Sequence, residues 1–116
     1  PEYHTSGDNL DLVPPGQLEK SLEAFQDICG ILEHNDTYLN LFPKCEPQLG
    51  KRGLYQHISG ESQSATKDRQ LAMLWVLNLS DGSHSLLDIA ERAGLRFDVV
   101  RQVADILARH QLLEKM

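Results

Sequence analysis

The residues best suited to chemistry lie at the start of the chain, in the run Tyr-His-Thr-Ser-Gly-Asp at positions 3–8. A neutral imidazole in a turn rich in hydroxyl and carboxyl groups can bind zinc, while nearby carboxylates fix its tautomer. His4 is therefore a candidate metal ligand. An isolated histidine is more typical of an ordinary turn or of the protein surface, so the spacing alone leaves both interpretations open.

A second candidate is the basic pair Lys51 and Arg52, which lies between Gly50 and Gly53 and holds the only adjacent bases of the chain. Two cations on one turn could bind a carboxylate or a phosphate of a substrate. The simpler interpretation, which general considerations favour, is an exposed turn with two solvated charges. The other histidines have no partner at ligand spacing, and we assign them no role in a site.

The element that follows the first turn is predicted to be a helix over about residues 17–34. A single apolar stripe with alternating spacings of four and three supports it, formed by Leu18, Leu22, Phe25, Cys29 and Leu32. Gly30 would cost about 1 kcal/mol inside a helix, so we expect close packing there or an early helix end. Cys29 is expected to be a reduced, buried thiol, and a disulfide with Cys45 is the alternative.

Residues 35–66 break every periodicity with Pro, Gly and Asn-Asp, and they are interpreted as an irregular connector. Short extended pieces are expected at 38–42 and 53–58. The small polar run at 59–66 is typical of a linker, and we place a domain boundary there.

Residues 67–116 are predicted to be helical throughout, with helices up to Leu79, at about 86–93 and at about 97–110. Ser85 with Asp88 forms an N-terminal capping pair, whereas Arg96 is a poor cap for the last helix. Gly94 suits the left-handed conformation of a tight turn between two helices. The pair at 112–113 could begin a short strand or cover the core.

This C-terminal stretch resembles a winged-helix domain, whose last helix would expose Arg101 and Gln102 for reading bases in a DNA groove. The same face carries acids as well as bases, and the chain has a net charge of -6 and a pI of about 5.2. Mixed charges repel phosphates as often as they attract them, so a packing or partner-docking role is favoured over nucleic-acid binding. The fold class is mainly α with a few short strands.

The chain also resembles, over essentially its whole length, the C-terminal part of bacterial zinc aminopeptidase-like proteins of the zinc exopeptidase superfamily that carry a fused winged helix. Its Tyr-His-Thr-x-x-Asp stretch is similar to their last metal-ligand segment. The Pro/Gly-rich run 43–55 and the helical run 71–82 extend the resemblance. It implies three parts: 1–34 as the terminal turn and helix of a catalytic α/β domain, 35–66 as the connector, and 67–116 as the winged helix.

The resemblance implies that His4 is a zinc ligand and that Asp8 orients this ligand or caps the next helix. For Lys51 and Arg52, a contact with a substrate carboxylate or phosphate in the catalytic cleft stays the alternative to the favoured exposed turn. The remaining ligands and the general base would lie upstream, so the fragment is expected to be inactive without them. The parent is expected to hydrolyse peptide or amide bonds. Its expected partners are the rest of the parent chain, a peptide-like substrate and, through the apolar helix around 69–79, a second copy.

No apolar run approaches the roughly 20 residues that a membrane span requires, and the expected location is the cytoplasm.

Overall fold

The computed structural model describes residues 3–7, 9, 11–55 and 63–116. Its elements follow in the order α1 (Pro15–His34), β1 (Thr37–Asn40), α2 (Gln63–Leu79), β2 (Asp81–Ser85), α3 (Leu86–Ala93), α4 (Phe97–Arg109) and β3 (Leu113–Lys115). The residues group into two compact units, 1–33 and 34–116. The prediction of a mainly helical chain with a few short strands is confirmed.

Helix α1 makes up most of the first unit and leaves its apolar stripe uncovered. Pro15 opens the helix, where its missing N–H costs nothing. None of the α1 residues is buried, and Leu18, Leu22, Phe25 and Leu32 are all more than half exposed. The sequence therefore predicted the helix, but this stretch has no core of its own.

Two expectations for α1 are wrong. Cys29 is exposed, because the stripe on which it lies is uncovered among the described residues. Cys45 is also exposed, and both thiols are free. Gly30 neither ends the helix nor sits in a close contact, since a Cβ placed there would meet nothing within 4 Å.

The second unit is built on a three-stranded antiparallel sheet in the order β2-β1-β3. Strand β1 is central. Thr37 pairs with Ser85 of β2, and Tyr38 pairs with Lys115 of β3. This central strand confirms the extended piece expected at 38–42, although it runs from Thr37 to Asn40 and lies in the stretch interpreted as connector.

Helices α2, α3 and α4 pack with the sheet around one core. Its buried residues are Tyr38, Leu49, Leu54, Ala72, Met73, Val76, Leu86, Ile89, Ala90, Val100, Val103, Ala104, Leu107, Leu112 and Leu113. Leu49 and Leu54 come from the Pro/Gly-rich stretch, so that stretch contributes to the core. The structure thus groups residues 34–116 together, whereas the sequence analysis separated 35–66 from 67–116.

The helix-turn-helix follows the sequence analysis closely. The Ser85 hydroxyl accepts from the Asp88 N–H while the Asp88 carboxylate accepts from the Ser85 N–H, which is the expected capping box. Gly94 ends α3 in the left-handed conformation with φ 63°. Arg96 is the N-cap residue before α4 and makes no capping hydrogen bond with its side chain, as expected.

The remaining boundaries differ in detail. Helix α2 already begins at Gln63, inside the run interpreted as a linker, and residues 56–62 lie outside the described part. Residues 51–55 form turns, so the expected strand at 53–58 is wrong over its described residues. Leu112 is buried in the core and Leu113 begins β3. The pair at 112–113 thus does both things expected of it, since one residue covers the core and the other starts a strand. Among the described residues, no helix is long and apolar enough to cross a bilayer.

Candidate functional site

The turn at the start of the chain presents His4 to solvent. His4 has φ 62°, in the left-handed region, and its ring centroid lies 4.0 Å from that of Tyr3 with the planes tilted by 42°. The turn holds itself together locally, because the Thr5 hydroxyl accepts from the Gly7 N–H at 3.2 Å. Asp8, the expected supporting acid, lies outside the described residues.

One exposed imidazole is a suitable zinc donor, but it is one donor only. Tetrahedral zinc sites in proteins take three or four ligands from the chain. Within the described ranges, no group of three or more His, Cys, Asp or Glu side chains is placed to hold a metal ion. These residues by themselves therefore do not build a metal site.

The two side chains of the basic pair at 51–52 differ in their surroundings. The Arg52 side chain donates from Nε to the Pro47 carbonyl at 3.0 Å and from a terminal nitrogen to the His110 carbonyl at 3.4 Å. Its guanidinium carbon also lies 5.7 Å from the centroid of the Phe42 ring. Arg52 thus ties its own loop to the end of α4. Lys51 is exposed.

The outer face of α4 carries guanidinium groups that are paired within the chain. Arg96 donates from two nitrogens to the two carboxylate oxygens of Asp98, both at 2.9 Å, and these bonds lower the pKa of Asp98. Arg101 Nε lies 4.0 Å from Asp105 Oδ2. The positive charge of this face is therefore largely balanced by its own acids.

Gln102 is exposed and lines a cleft of about 350 Å³ between the start of α2 and the start of α4. The other side chains around this cleft include two bases, Arg69 and Arg96, and two acids, Asp68 and Asp98. Since the charges of the lining cancel, the cleft shows no preference for an anion or a cation. Arg101 and Gln102 lie on the same helix, α4.

The sequence analysis missed one interaction of a histidine. His84 Nδ1 lies 3.0 Å from both carboxylate oxygens of Asp81. Asp81 Oδ1 also accepts from the Ser83 N–H and hydroxyl, at 2.9 and 2.7 Å. An aspartate three residues before a histidine was the available signal. The arrangement closes the turn from α2 into β2, where Gly82 has φ 83°.

An apolar surface on α2 was foreseen in part. Leu71 and Leu74 are exposed and, with Trp75 and Asn78, line a shallow groove of about 340 Å³. Leu74 and Asn78 also line a neighbouring groove of about 200 Å³ that contains Phe42. The helix expected to be apolar nearly all round therefore leaves one apolar face outside the core.

Comparison with known proteins identifies the second unit. A family model described as winged helix-turn-helix matches residues 36–115. The chain belongs to this winged helix-turn-helix family. The winged-helix fold expected from the sequence is thereby confirmed, over a stretch that also includes strand β1 and the Pro/Gly-rich segment. A second model, described as a domain of unknown function (DUF4910), matches residues 1–35.

This winged-helix chain is also similar to part of a larger protein. A Clostridium acetobutylicum protein provisionally named a polysaccharide biosynthesis protein with an aminopeptidase-like domain is 48% identical over 112 residues, which cover 97% of this chain and 25% of that protein. The crystal structure of a protein provisionally named a peptidase, from the same organism, matches with a TM-score of 0.83 and 43% identity. That match covers 100% of this chain and 24% of the solved one.

The chain thus spans about a quarter of the length of these relatives. The expected resemblance to part of a larger aminopeptidase-like protein is confirmed.

Proposed function

We propose that the chain is the C-terminal segment of a zinc-dependent aminopeptidase-like hydrolase whose full-length form cleaves peptide or amide bonds. The observation that carries this proposal is the 48% identity, across nearly the whole chain, to a protein whose name includes an aminopeptidase-like domain. The match of 1–35 to a different family model from 36–115 fits a chain that joins the end of one domain to a second domain.

In this proposal the chain supplies His4 as one zinc ligand. Its exposure supports the role, because a ligand must reach a shell whose other members lie outside this chain. Asp8 is proposed to orient the imidazole. Zinc, when bound, would supply Lewis-acid activation of a water molecule that attacks an amide carbonyl. The segment alone is then expected to be inactive.

Lys51 is proposed to contact the carboxylate of a peptide-like substrate, since it is exposed. Arg52 is less suited to this role, because its donors already hold carbonyls of its own chain. The cytoplasm is the proposed location, and two free thiols at Cys29 and Cys45 are in keeping with a reducing compartment.

The test is metal analysis and peptidase assay on the longer parent chain, with the variant His4→Ala. Loss of a ligand should lower zinc content and cut hydrolysis of an aminoacyl-p-nitroanilide by at least about tenfold. His110→Ala, which removes an exposed imidazole at the end of α4, is the matched control and should leave both unchanged. A parent chain that is purified without zinc and stays inactive when zinc is added would refute the proposal.

The winged helix is proposed to be a protein-docking module of this parent, and DNA binding is the second candidate because the family fold favours it. The intramolecular pairing of Arg96 and Arg101 supports the docking role. We expect no salt-dependent mobility shift with duplex DNA. A shift that disappears on replacing Arg101 and Gln102 by Ala would favour the DNA-binding function instead.

A further inference from the structure

Helix α1 carries an uncovered apolar face, which we call the α1 stripe: Leu18, Leu22, Phe25, Ile28, Cys29 and Leu32. The exposed fractions of its large side chains run from 53% at Ile28 to 69% at Leu32. A contiguous row of this kind on one helix is rarely left in water, because burial of such side chains is the main favourable term in folding. The stripe therefore marks a contact surface.

The charges of α1 argue against two of the surfaces that could cover the α1 stripe. The helix carries four acids, Glu19, Glu23, Asp27 and Glu33, against Lys20 as its one Lys or Arg residue. An anionic membrane surface would repel such a helix, since interfacial helices carry bases on the polar face. Two copies of the helix brought face to face would likewise place acids against acids.

The comparisons indicate which part of a longer protein could contact the α1 stripe. The winged helix-turn-helix match begins at residue 36 and the DUF4910 match ends at residue 35, next to the limit between the compact units at 33 and 34. Helix α1 thus belongs to a different domain from the winged helix. The relatives match almost all of this chain with only a quarter of their length, so about three quarters of their sequence lies outside it.

We infer that the α1 stripe is the face by which α1 packs against the aminopeptidase-like remainder of the parent polypeptide, an interface within one chain. The inference rests on the proposed function only for the identity of that remainder. It assigns the stripe a single occupant, an apolar surface formed by residues of the parent that are outside this chain.

Two cysteines provide a direct test. Cys29 lies on the stripe and Cys45 lies in the second unit, and both are exposed and free in this chain. Maleimide labelling of each thiol, followed by peptide mass spectrometry, should show similar rates for the 116-residue chain. In the longer parent, Cys29 should react at least about tenfold more slowly than Cys45, because labelling then requires local opening of the interface.

Three outcomes are distinguishable. Slow labelling of Cys29 in the parent alone supports the inference. Equal rates for Cys29 and Cys45 in the parent overturn it. Protection of Cys29 already in the 116-residue chain, lost on dilution and accompanied by a dimer in light scattering, overturns it in favour of a second copy. Labelling requires neither metal nor activity, so a protected Cys29 in a parent that is purified without zinc and stays inactive with added zinc would refute the hydrolase proposal and leave this interface standing.

Substitutions on opposite faces of α1 provide the matched comparison. Phe25→Asp places a carboxylate in the stripe and should restore labelling of Cys29 in the folded parent at least tenfold. Lys20→Asp introduces the same residue on the polar face and should leave the labelling rate unchanged. If Phe25→Asp prevents folding of the parent, Phe25→Ala serves in its place, with the same direction expected. An unchanged rate in the folded stripe variants would contradict the inference.

Discussion

At the scale of single residues, Asp81 holds the turn between α2 and β2. Hydrogen bonds from the Ser83 hydroxyl and from the His84 ring lower the pKa of this carboxyl well below its ordinary value. A carboxyl with a lowered pKa in the folded state stabilises the fold above its unfolded pKa, near 3.9, and that contribution is lost as the pH falls below it. We therefore expect Asp81→Asn to lower the urea midpoint at pH 7. Between pH 5 and pH 3, the midpoint of this variant should fall less than that of the unmodified chain.

Glu91→Gln, on the exposed side of α3, is the control for this comparison and should keep the pH dependence of the unmodified chain. Circular dichroism at several pH values measures each midpoint. An equal loss of midpoint on acidification in Asp81→Asn and in the unmodified chain would show that the turn does not depend on the ionised carboxylate.

Ser85 is the second residue whose contribution can be isolated. Its hydroxyl accepts from the Asp88 N–H at 3.3 Å, and the Ser85 N–H donates to the Asp88 carboxylate at 2.8 Å. Ser85→Ala removes the side-chain half of this box, so the free energy of unfolding should fall by about 1 kcal/mol. Urea denaturation measures it. Ser85→Thr keeps a hydroxyl and should retain most of the stability, and equal losses in both variants would point to a packing effect instead.

At the scale of elements, the helices were predictable, the extended piece at 38–42 and the pair at 112–113 anticipated β1 and β3, and β2 was not predicted. The stripe of α1, the capping pair of α3 and the inward valines of α4 are local patterns with a helical period, and each predicted its helix to within two residues. Strand β2 is the run Asp-Gly-Ser-His-Ser, which contains no apolar residue. It is held by pairing with β1, and such long-range pairing leaves no periodic pattern in the sequence.

The candidate site was predictable only to the level of residue types. His4 could be chosen from its neighbours in the sequence, whereas its accessibility depends on the turn that the structure shows. Arg52 looked like a free cation beside Lys51, and its contact with the His110 carbonyl joins residues 58 positions apart. Sequence proximity does not reveal such a contact. The sequence therefore could not show that Arg52 is held by its own chain while Lys51 is exposed.

Leu49 tests whether the Pro/Gly-rich segment is an element of the core or a connector. Its side chain is 0% exposed, and Glu46 accepts hydrogen bonds from the N–H groups of Gln48 and Leu49 at 2.8 and 2.6 Å. Leu49→Ala should lower the free energy of unfolding by about 2–5 kcal/mol, because it leaves a cavity in a packed core. Leu41→Ala, at a 43% exposed position just before this segment, should cost less than about 0.5 kcal/mol. Similar urea midpoints for the two variants would show that the side chain of Leu49 does not stabilise the core and that this segment is a connector.

At the scale of the whole molecule, the core and the central strand determine where the chain can be shortened. Among the described residues, every buried apolar side chain of the core lies in the range 38–113, and no residue of α1 is buried. A chain of residues 34–116 should therefore unfold with a free energy within about 0.5 kcal/mol of that of the 116-residue chain. A chain that begins at residue 41 lacks β1, through which β2 and β3 are joined, and it should not fold cooperatively. Urea denaturation followed by circular dichroism compares the three chains. If removal of residues 1–33 destabilised the protein as much as removal of residues 1–40, the α1 stripe would already be in use within this chain, and its proposed role as an interface to the rest of the parent would fail.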